Sequence, residues 1–429
     1  MEKSKFLTSS SRINDILPED YKYFRKIHQI VEEIADFYRF GRLETSILQE
    51  PKPFLKGIGA DVDITKNQAC IFKTKEGDVL MLRREGTSSV ARVFVEQGMF
   101  NLPKPVKLWY FSPFFKYEKL KKGKCCQFWQ FGFEIFGSKD PIIEAQIIQI
   151  LFSIFAKLKL KEIIIEVNSI GDSRCRPYYK KVLKEYFSSH RVALCSDCKK
   201  ILKVNPLKIF ECEKEKCQRV VKGAPQIIDY LCKKCHNHLK GLLELLDEIE
   251  VPYHLNPYLV RCLDYCNRTI FEIFETPLDV SESKIVLAGG GRYDALVKLL
   301  GGKETTACGA AVRVEGIVDL MKQQEAKYFK AQPPKIFLAQ LGKLAKRKSL
   351  ALFRQFQKAK IEVVESFERN SLRAQLARAR NLGVEYTLIL GQKEALEGTI
   401  VVRNMKTGGQ EVVKLDKIVK EMKKKLKRK

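Results

Sequence analysis

Four stretches of the chain set charged, amide or glycine residues among apolar neighbours. They are LRREGTSSV (82–90), FFKYEKLKKGKCCQFWQFGFEIFG (114–137), LVRCLDYCNRTIFEIF (259–274) and AGGGRYDALVKLLGG (288–302). In the second, Gln130 and Glu134 stand four apart, and on a strand a separation of two or four puts side chains on one face. An amide and a carboxylate on one buried face need partners, because an unpaired buried charge is costly; on an exposed sheet face they need none. The segment Lys116–Lys124 holds five lysines and one glutamate, so it repels itself unless it meets phosphate or stays fully solvated. The run Gly289–Gly291 allows close backbone approach to a ligand, or simply a turn. It matches neither the GxGxxG fingerprint nor the Gly-Lys-Ser/Thr of a Walker loop.

A second chemistry lies in the cysteines. Cys195-x-x-Cys198, Cys212-x4-Cys217 and Cys232-x-x-Cys235 form three pairs, followed by His236 and His238. Two thiolates on a tight turn supply half a tetrahedron, and any two of these pairs could complete one zinc site. Cys195, Cys198, Cys232 and Cys235 are the expected ligands of a structural Zn²⁺; buried structural thiols are the competing reading. Cys262 and Cys266 read as reduced thiols.

These residues need elements to hold them. Tyr21–Phe37 repeats apolar residues at steps of three and four (Ile27, Ile30, Val31, Ile34, Phe37), one face of a helix. Val79–Arg83, Val106–Phe111, Lys161–Asn168, TIFEIF and KIVLAGGG read as strands. Between about Ser188 and Lys240 cysteines cluster among lysines, as in an inserted module, and Gln323–Pro334 reads as a linker. Beyond it, strand-like KIFLAQL, IEVVES, YTLILG, GTIVVRNM and QEVVKL alternate with helical stretches at Leu344–Lys358 and Leu372–Asn381. That pattern predicts a small α/β domain with a mostly parallel sheet. The expected boundaries are 1–187 and 250–325 for a split first domain, 188–249 for the insertion and 334–429 for the last domain.

With 429 residues, 45% hydrophobic and 30% charged, the chain has material for more than one core, which excludes general disorder. No apolar run approaches the roughly 18–20 residues of a membrane span, and MEKSKFLTSS lacks the apolar core of a secretory signal. The thirteen cysteines therefore read as reduced thiols or metal ligands in a cytoplasmic protein rather than as disulfides. The net charge of +27 points to nucleic acid. Residues 330–429 carry 25 Lys and Arg against 9 Asp and Glu, so over half of the excess lies in the last quarter.

Taken together, the four stretches resemble the histidyl-tRNA synthetases, a class II aminoacyl-tRNA synthetase family, over nearly the full length. LRREGTSSV is similar to the family's Arg-Pro-Glu-Gly-Thr segment and residues 114–137 to its motif 2. LVRCLDYCNRTIFE is similar to the signature Val-Arg-Gly-Leu-Asp-Tyr-Tyr-x-Arg-Thr-x-Phe-Glu, and GGGRYDALVKLLGG to the second histidine motif. The resemblance implies an α+β catalytic domain with an antiparallel six-stranded class II sheet and flanking helices. It also implies an inserted Cys-rich helical module, a C-terminal α/β anticodon-binding domain and a homodimer. It implies histidine, ATP with Mg²⁺, and histidine tRNA as partners, with no membrane. By residue, Glu85, Thr87, Gln130, Glu134 and Tyr293 would bind histidine, and Lys116, Glu118 and Lys119 ATP. Lys119, Lys121, Lys122 and Lys124 would meet the tRNA acceptor end, and Arg261 would stabilise charge at the α-phosphate.

The chain also departs from that pattern. Lys116 stands for the motif 2 arginine, losing the planar fork. The motif 3 Gly-Leu-Glu-Arg reads Arg313-Val314-Glu315-Gly316. Cys266 replaces the second signature tyrosine, and Arg84 and Ser46 replace prolines. Two functions of different class are therefore expected: a histidine–tRNA ligase with a divergent ATP site, or a catalytically degenerate paralogue that binds RNA or regulates. A regulatory subunit of ATP phosphoribosyltransferase shares the catalytic fold but usually lacks a domain such as 335–429.

Overall fold

The computed structural model describes residues 15–51, 69–116, 127–260, 265–275, 285–324, 334–368 and 371–427. The chain divides into two compact units, Met1–Ala326 and Lys327–Lys429.

The first unit opens with α1 (Pro18–Phe37), which buries Phe24, Ile27, Ile30, Val31 and Ile34 along the expected stripe. Phe37 is the exception, at 79% exposed. It is the last residue of the helix and sits at the margin of the stripe, so it packs on Tyr38 instead. There follow β1 (Gly41–Arg42), β2 (Leu48–Gln49), β3 (Ile71–Lys73), β4 (Val79–Leu82), α2 (Gly86–Glu96), β5 (Val106–Phe115), β6 (Gln127–Phe136), α3 (Ile142–Lys157) and β7 (Ile163–Ser169). Helix α4 (Cys175–Ser189) leads into the inserted region, which holds α5 (Ser196–Val204), α6 (Glu215–Val221) and α7 (Lys233–Glu248). The chain returns through β8 (His254–Leu255), β9 (Asn267–Glu275), β10 (Ile285–Arg292) and β11 (Ala307–Arg313) to α8 (Val314–Gln323).

The main sheet has the order β1-β5-β6-β11-β10-β9-β7-β8. Its six inner strands pair antiparallel throughout, as the resemblance implies. The two-residue strands β1 and β8 add parallel pairings at the edges, so the sheet has eight strands rather than six. The triple glycine is not a turn but the middle of β10. A Cβ on Gly290 would lie 2.5 Å from both the Phe271 ring and the Gly309 carbonyl, so only a bare backbone lets these strands close here. Helix α3 carries buried apolar side chains along its length together with one buried acid, Glu144, and packs against α1, α7 and β11.

The inserted region has a core of its own, in which Tyr179, Leu183, Phe187, Ile209 and Phe210 surround Cys195, Cys198 and Cys217.

In the second unit β12 (Ile336–Gln340), α9 (Lys343–Lys358), β13 (Val363–Glu365), α10 (Leu372–Asn381), β14 (Tyr386–Leu390), α11 (Gln392–Glu397), β15 (Thr399–Asn404), β16 (Gln410–Lys414) and α12 (Ile418–Lys427) build a sheet of order β13-β12-β14-β15-β16. It is mixed rather than mostly parallel. β12 runs parallel to β13 and β14, whereas β15 pairs antiparallel with β14 and β16. Connections decide this: a parallel crossover needs about a dozen residues or more, and neither the short α11 link nor the Met405–Gly409 turn supplies them.

Candidate active site

A pocket of roughly 330 Å³ opens over the bare middle of the main sheet. Gly289, Gly290, Gly291, Gly309, Ala310 and Ala311 contribute almost no side chain to its lining, so a ligand can lie against backbone. Around them stand Glu85, Thr87, Gln130 and Tyr293, the expected histidine-binding set apart from Glu134. Lys116 lines it as well. Glu118, Lys119, Lys121, Lys122, Lys124 and Arg261 lie outside the described residues.

Glu134 sits directly behind the wall. It is fully buried, and Thr87 Oγ1 donates to its Oε1 at 2.7 Å while the Tyr293 hydroxyl donates to Oε2. Room for it is made by Gly309, where a Cβ would fall 1.6 Å from Glu134 Oε2. Burial pushes the Glu134 carboxyl up to about 8; the hydrogen bonds from Tyr293 and Thr87 oppose the rise, and the nearby Glu85 carboxylate adds to it. Strand periodicity then places Gln130 on the same face as Glu134, with Gly132 between them.

Glu85 caps α2: its carboxylate accepts the Ser88 N–H at 3.2 Å and the Tyr265 hydroxyl at 3.0 Å. The Gln130 Oε1 accepts the Gly86 N–H at 3.1 Å and the Tyr110 hydroxyl at 3.2 Å. With that oxygen taken, the amide Nε2 is the end left for a ligand, and it is a donor.

Within the Arg-Tyr-Asp segment only the tyrosine reaches the pocket. Arg292 is fully buried and grips Glu144 with two parallel bonds of 2.8 Å, from Nε to Oε1 and from Nη2 to Oε2. His238 of α7 meets the same carboxylate at 2.6 Å. Burial alone would raise the Glu144 carboxyl; the hydrogen bonds from His238 and Arg292 outweigh it and hold the group below its ordinary range. Asp294 accepts from Arg292, Asn267 and the Ala307 N–H, which fixes the segment in place.

Several lining residues carried no assigned role in the sequence reading: Arg84, Phe128, Tyr265 and Glu272. Arg84 puts a guanidinium where the family pattern has proline, and that substitution was its only signal. Arg313 does not line the pocket. It is half-exposed, 3.7 Å from Glu315, with its guanidinium over the ring of Phe128.

The cysteines do not assemble as expected. Cys195 and Cys198 group with Cys212 and Cys217, whereas Cys232 and Cys235 group with Asp172 and Cys175. The expected set of Cys195, Cys198, Cys232 and Cys235 is thus split between two places, because α5 and α7 start at different points of the inserted region. In the first group Cys195 Sγ and Cys212 Sγ are 3.9 Å apart, close to the edge of about 3.8 Å in a tetrahedron with 2.3 Å metal–sulfur bonds. The Cys198 N–H points at Cys195 Sγ and the Cys195 N–H at Cys217 Sγ, as suits thiolates. This group fits a structural Zn²⁺. His238 is committed to Glu144, and His236 is exposed.

No helix among the described residues is long and apolar enough to cross a membrane.

A sequence profile of the histidyl-tRNA synthetases matches residues 12–174 and 202–317, and one of the anticodon binding domain matches residues 335–425. A histidine–tRNA ligase of Dehalococcoides mccartyi is 39% identical over 96% of this chain and 98% of its own length. One from Caldicellulosiruptor saccharolyticus is 36% identical, again over 96% and 98%. The crystal structure of apo S. aureus histidyl-tRNA synthetase superposes with a TM-score of 0.80 at 28% identity, covering 97% of this chain and 99% of that one.

Proposed function

This chain belongs to the histidyl-tRNA synthetase family, and from that premise we propose how its own residues carry out the ligase reaction. The protein is a histidine–tRNA ligase: it activates histidine with ATP to histidyl-adenylate and transfers it to the 3′ end of histidine tRNA. The observation that carries the assignment of roles is the contrast between a buried carboxyl, Glu134, and the half-buried cations Lys116 and Arg84 around one pocket.

Histidine's carboxylate must face the ATP phosphates, so its side chain points inward. The ring then meets Glu134 between Thr87 and Tyr293, and the ammonium meets the Glu85 carboxylate. Gln130, presenting Nε2, suits the carboxylate of histidine rather than its ammonium. A carboxylate oxygen attacks the α-phosphorus and pyrophosphate leaves. Lys116, Arg84 and Arg261 stabilise the charge that builds there, with Glu118 and Lys119 on the nucleotide. Glu272, the pocket carboxylate outside the histidine set, would hold the Mg²⁺ that accompanies ATP, which would supply neutralising charge for the phosphates. Lys119, Lys121, Lys122 and Lys124 face the tRNA acceptor end and residues 334–429 the anticodon, where phosphate contacts supply affinity without reading sequence. Residues 1–187 with 250–325 form the catalytic domain and 188–249 the insertion, with Zn²⁺ at Cys195, Cys198, Cys212 and Cys217. The protein works as a cytoplasmic homodimer.

The test is histidine-dependent exchange of pyrophosphate into ATP with Mg²⁺. Exchange well above background is expected; none, from protein that still binds histidine tRNA, would leave the degenerate paralogue as the reading.

A pH dependence follows from Glu134. The free site holds a proton below about 8, and free imidazole loses its own near 6.5. The complex keeps one proton between carboxyl and ring. Binding must therefore shed a proton below about 6.5 and gain one above about 8. Histidine affinity is expected to be flat between these values and to fall about tenfold per unit outside them. Calorimetric titration across pH 5.5–9 checks this, and Glu134→Gln, which has no carboxyl to titrate, should abolish the alkaline limb. Affinity climbing steadily through pH 7 would contradict the shared proton.

A further inference from the structure

The second thiol group lies at the base of the inserted region. We infer that Asp172, Cys175, Cys232 and Cys235 form a second metal site, independent of the Cys195 group, taking a thiolate-preferring divalent cation such as Zn²⁺. Their four ligand atoms lie within 4.8 Å of one another. Cys175 Sγ is 3.7 Å from Cys235 Sγ and 3.5 Å from Asp172 Oδ1. A tetrahedral ion with bonds of about 2.3 Å to sulfur and 2.0 Å to oxygen requires edges of about 3.8 and 3.5 Å. Both measured edges already meet that requirement.

The surrounding backbone is shaped for these ligands. Gly171 takes the left-handed conformation, φ +64°, and a Cβ there would lie 2.6 Å from Cys175 Sγ, so glycine makes the space the thiol occupies. The Asp172 N–H points at Cys175 Sγ at 3.3 Å, and the Arg174 N–H holds Asp172 Oδ1 at 3.0 Å, aiming the carboxylate. Cys175 is the first residue of α4 and Cys232 caps α7, with Cys235 in its first turn. Two helix N-termini therefore converge on the site, and their exposed N–H groups favour thiolates.

The ion joins the start of the helix that leads into the insertion to the start of the one that leads out. It sits at the turn after β7, where the adjacent Arg176 bonds the Gly171 and Cys266 carbonyls and Arg268 N–H bonds Gly171 O. The site is thus a staple across the base of the module. Sequence spacing did not point to it, because Asp172 and Cys175 precede the cysteine cluster and belong to the catalytic sheet's side of the junction.

Metal analysis of full-length protein purified without added zinc is expected to find two Zn²⁺ per chain. Cys232→Ser with Cys235→Ser should leave one, and Cys212→Ser with Cys217→Ser should leave the other. A single equivalent that survives the Cys232/Cys235 change overturns the inference. Should those variants fail to fold, the wild-type protein still decides. Cys232 is only half-buried, so its alkylation should wait for a zinc chelator. Prompt alkylation of Cys232 without chelator, or a disulfide joining Cys235 to Cys175 or Cys232 in the protein as isolated, overturns the site equally.

Discussion

Replacing Glu134 with alanine is expected to lower kcat/KM for histidine in pyrophosphate exchange by about 10²–10³-fold, with KM for ATP nearly unchanged. The carboxyl is fully buried, and Thr87 and Tyr293 already occupy one lone pair on each oxygen. The remaining lone pairs are those that the proposed role gives to the histidine ring. Removing one partner of a desolvated, charge-assisted contact costs roughly 3–5 kcal/mol, far more than an exposed pair would. The variant also strands the hydroxyls of Thr87 and Tyr293 without their acceptor. Glu134→Gln keeps the shape and one acceptor oxygen, so its loss should be smaller. The split between the two substrates makes the test specific, since a general loss of fold would lower kcat without separating the KM for histidine from that for ATP. Less than a tenfold effect in the alanine variant would remove Glu134 from the histidine site.

The second large effect concerns stability. Glu144→Ala should lower the melting temperature of the protein by on the order of 10 °C, from a loss of about 3–5 kcal/mol. Arg292 has no exposure, and Glu144 is its bidentate partner. Without that carboxylate the guanidinium keeps only Asp294 and the carbonyls of Ser138 and Asp140. His238 loses its partner too, which loosens α7 at its contact with α3. A double variant, Glu144→Leu with Arg292→Met, should recover much of the loss, because a buried pair replaced by apolar side chains no longer leaves a charge stranded. A drop under about 1 kcal/mol in Glu144→Ala would show that the pair does not hold the α3–β10 junction.

The Glu144 network explains why Arg292 was not readable as structural. In the sequence it stands beside Tyr293 within a glycine-rich segment that resembles a substrate-binding motif. Alternation along β10 sends the tyrosine toward Glu134 and the arginine to the opposite side, into α3. Glu144 itself looks like one more acid in the first turn of an apolar helix. Nothing local distinguishes it from an exposed helix-capping charge until the sheet brings β10 beneath it.

Some features were legible from order alone. The spacing of Gln130 and Glu134 on a strand and the apolar stripe of α1 both follow from local periodicity. The family resemblance rests on the same kind of contiguous pattern, and the six antiparallel strands it implied are the inner strands of the main sheet, with Glu85, Thr87, Gln130 and Tyr293 around one pocket above them. The glycines at 289–291 were visible, and so was the close approach they allow a ligand; their place inside a strand was not, since a Cβ at Gly290 or Gly291 collides with neighbouring strands β9 and β11.

The sequence by itself therefore determined the family, the elements, the face each side chain takes and the charge that favours tRNA. The tertiary structure alone decided the partners. It paired Cys195 and Cys198 with Cys212 and Cys217, and Cys232 and Cys235 with Asp172 and Cys175. It turned Arg292 and His238 toward Glu144, and it put Arg84 rather than Arg313 at the pocket. The physical reason is range. Periodicity and turn chemistry act over a few residues and set which way a side chain points. Which group it meets depends on strand order and helix docking, which bring together segments sixty to one hundred and fifty residues apart, as in Cys175 with Cys235 and Glu144 with Arg292.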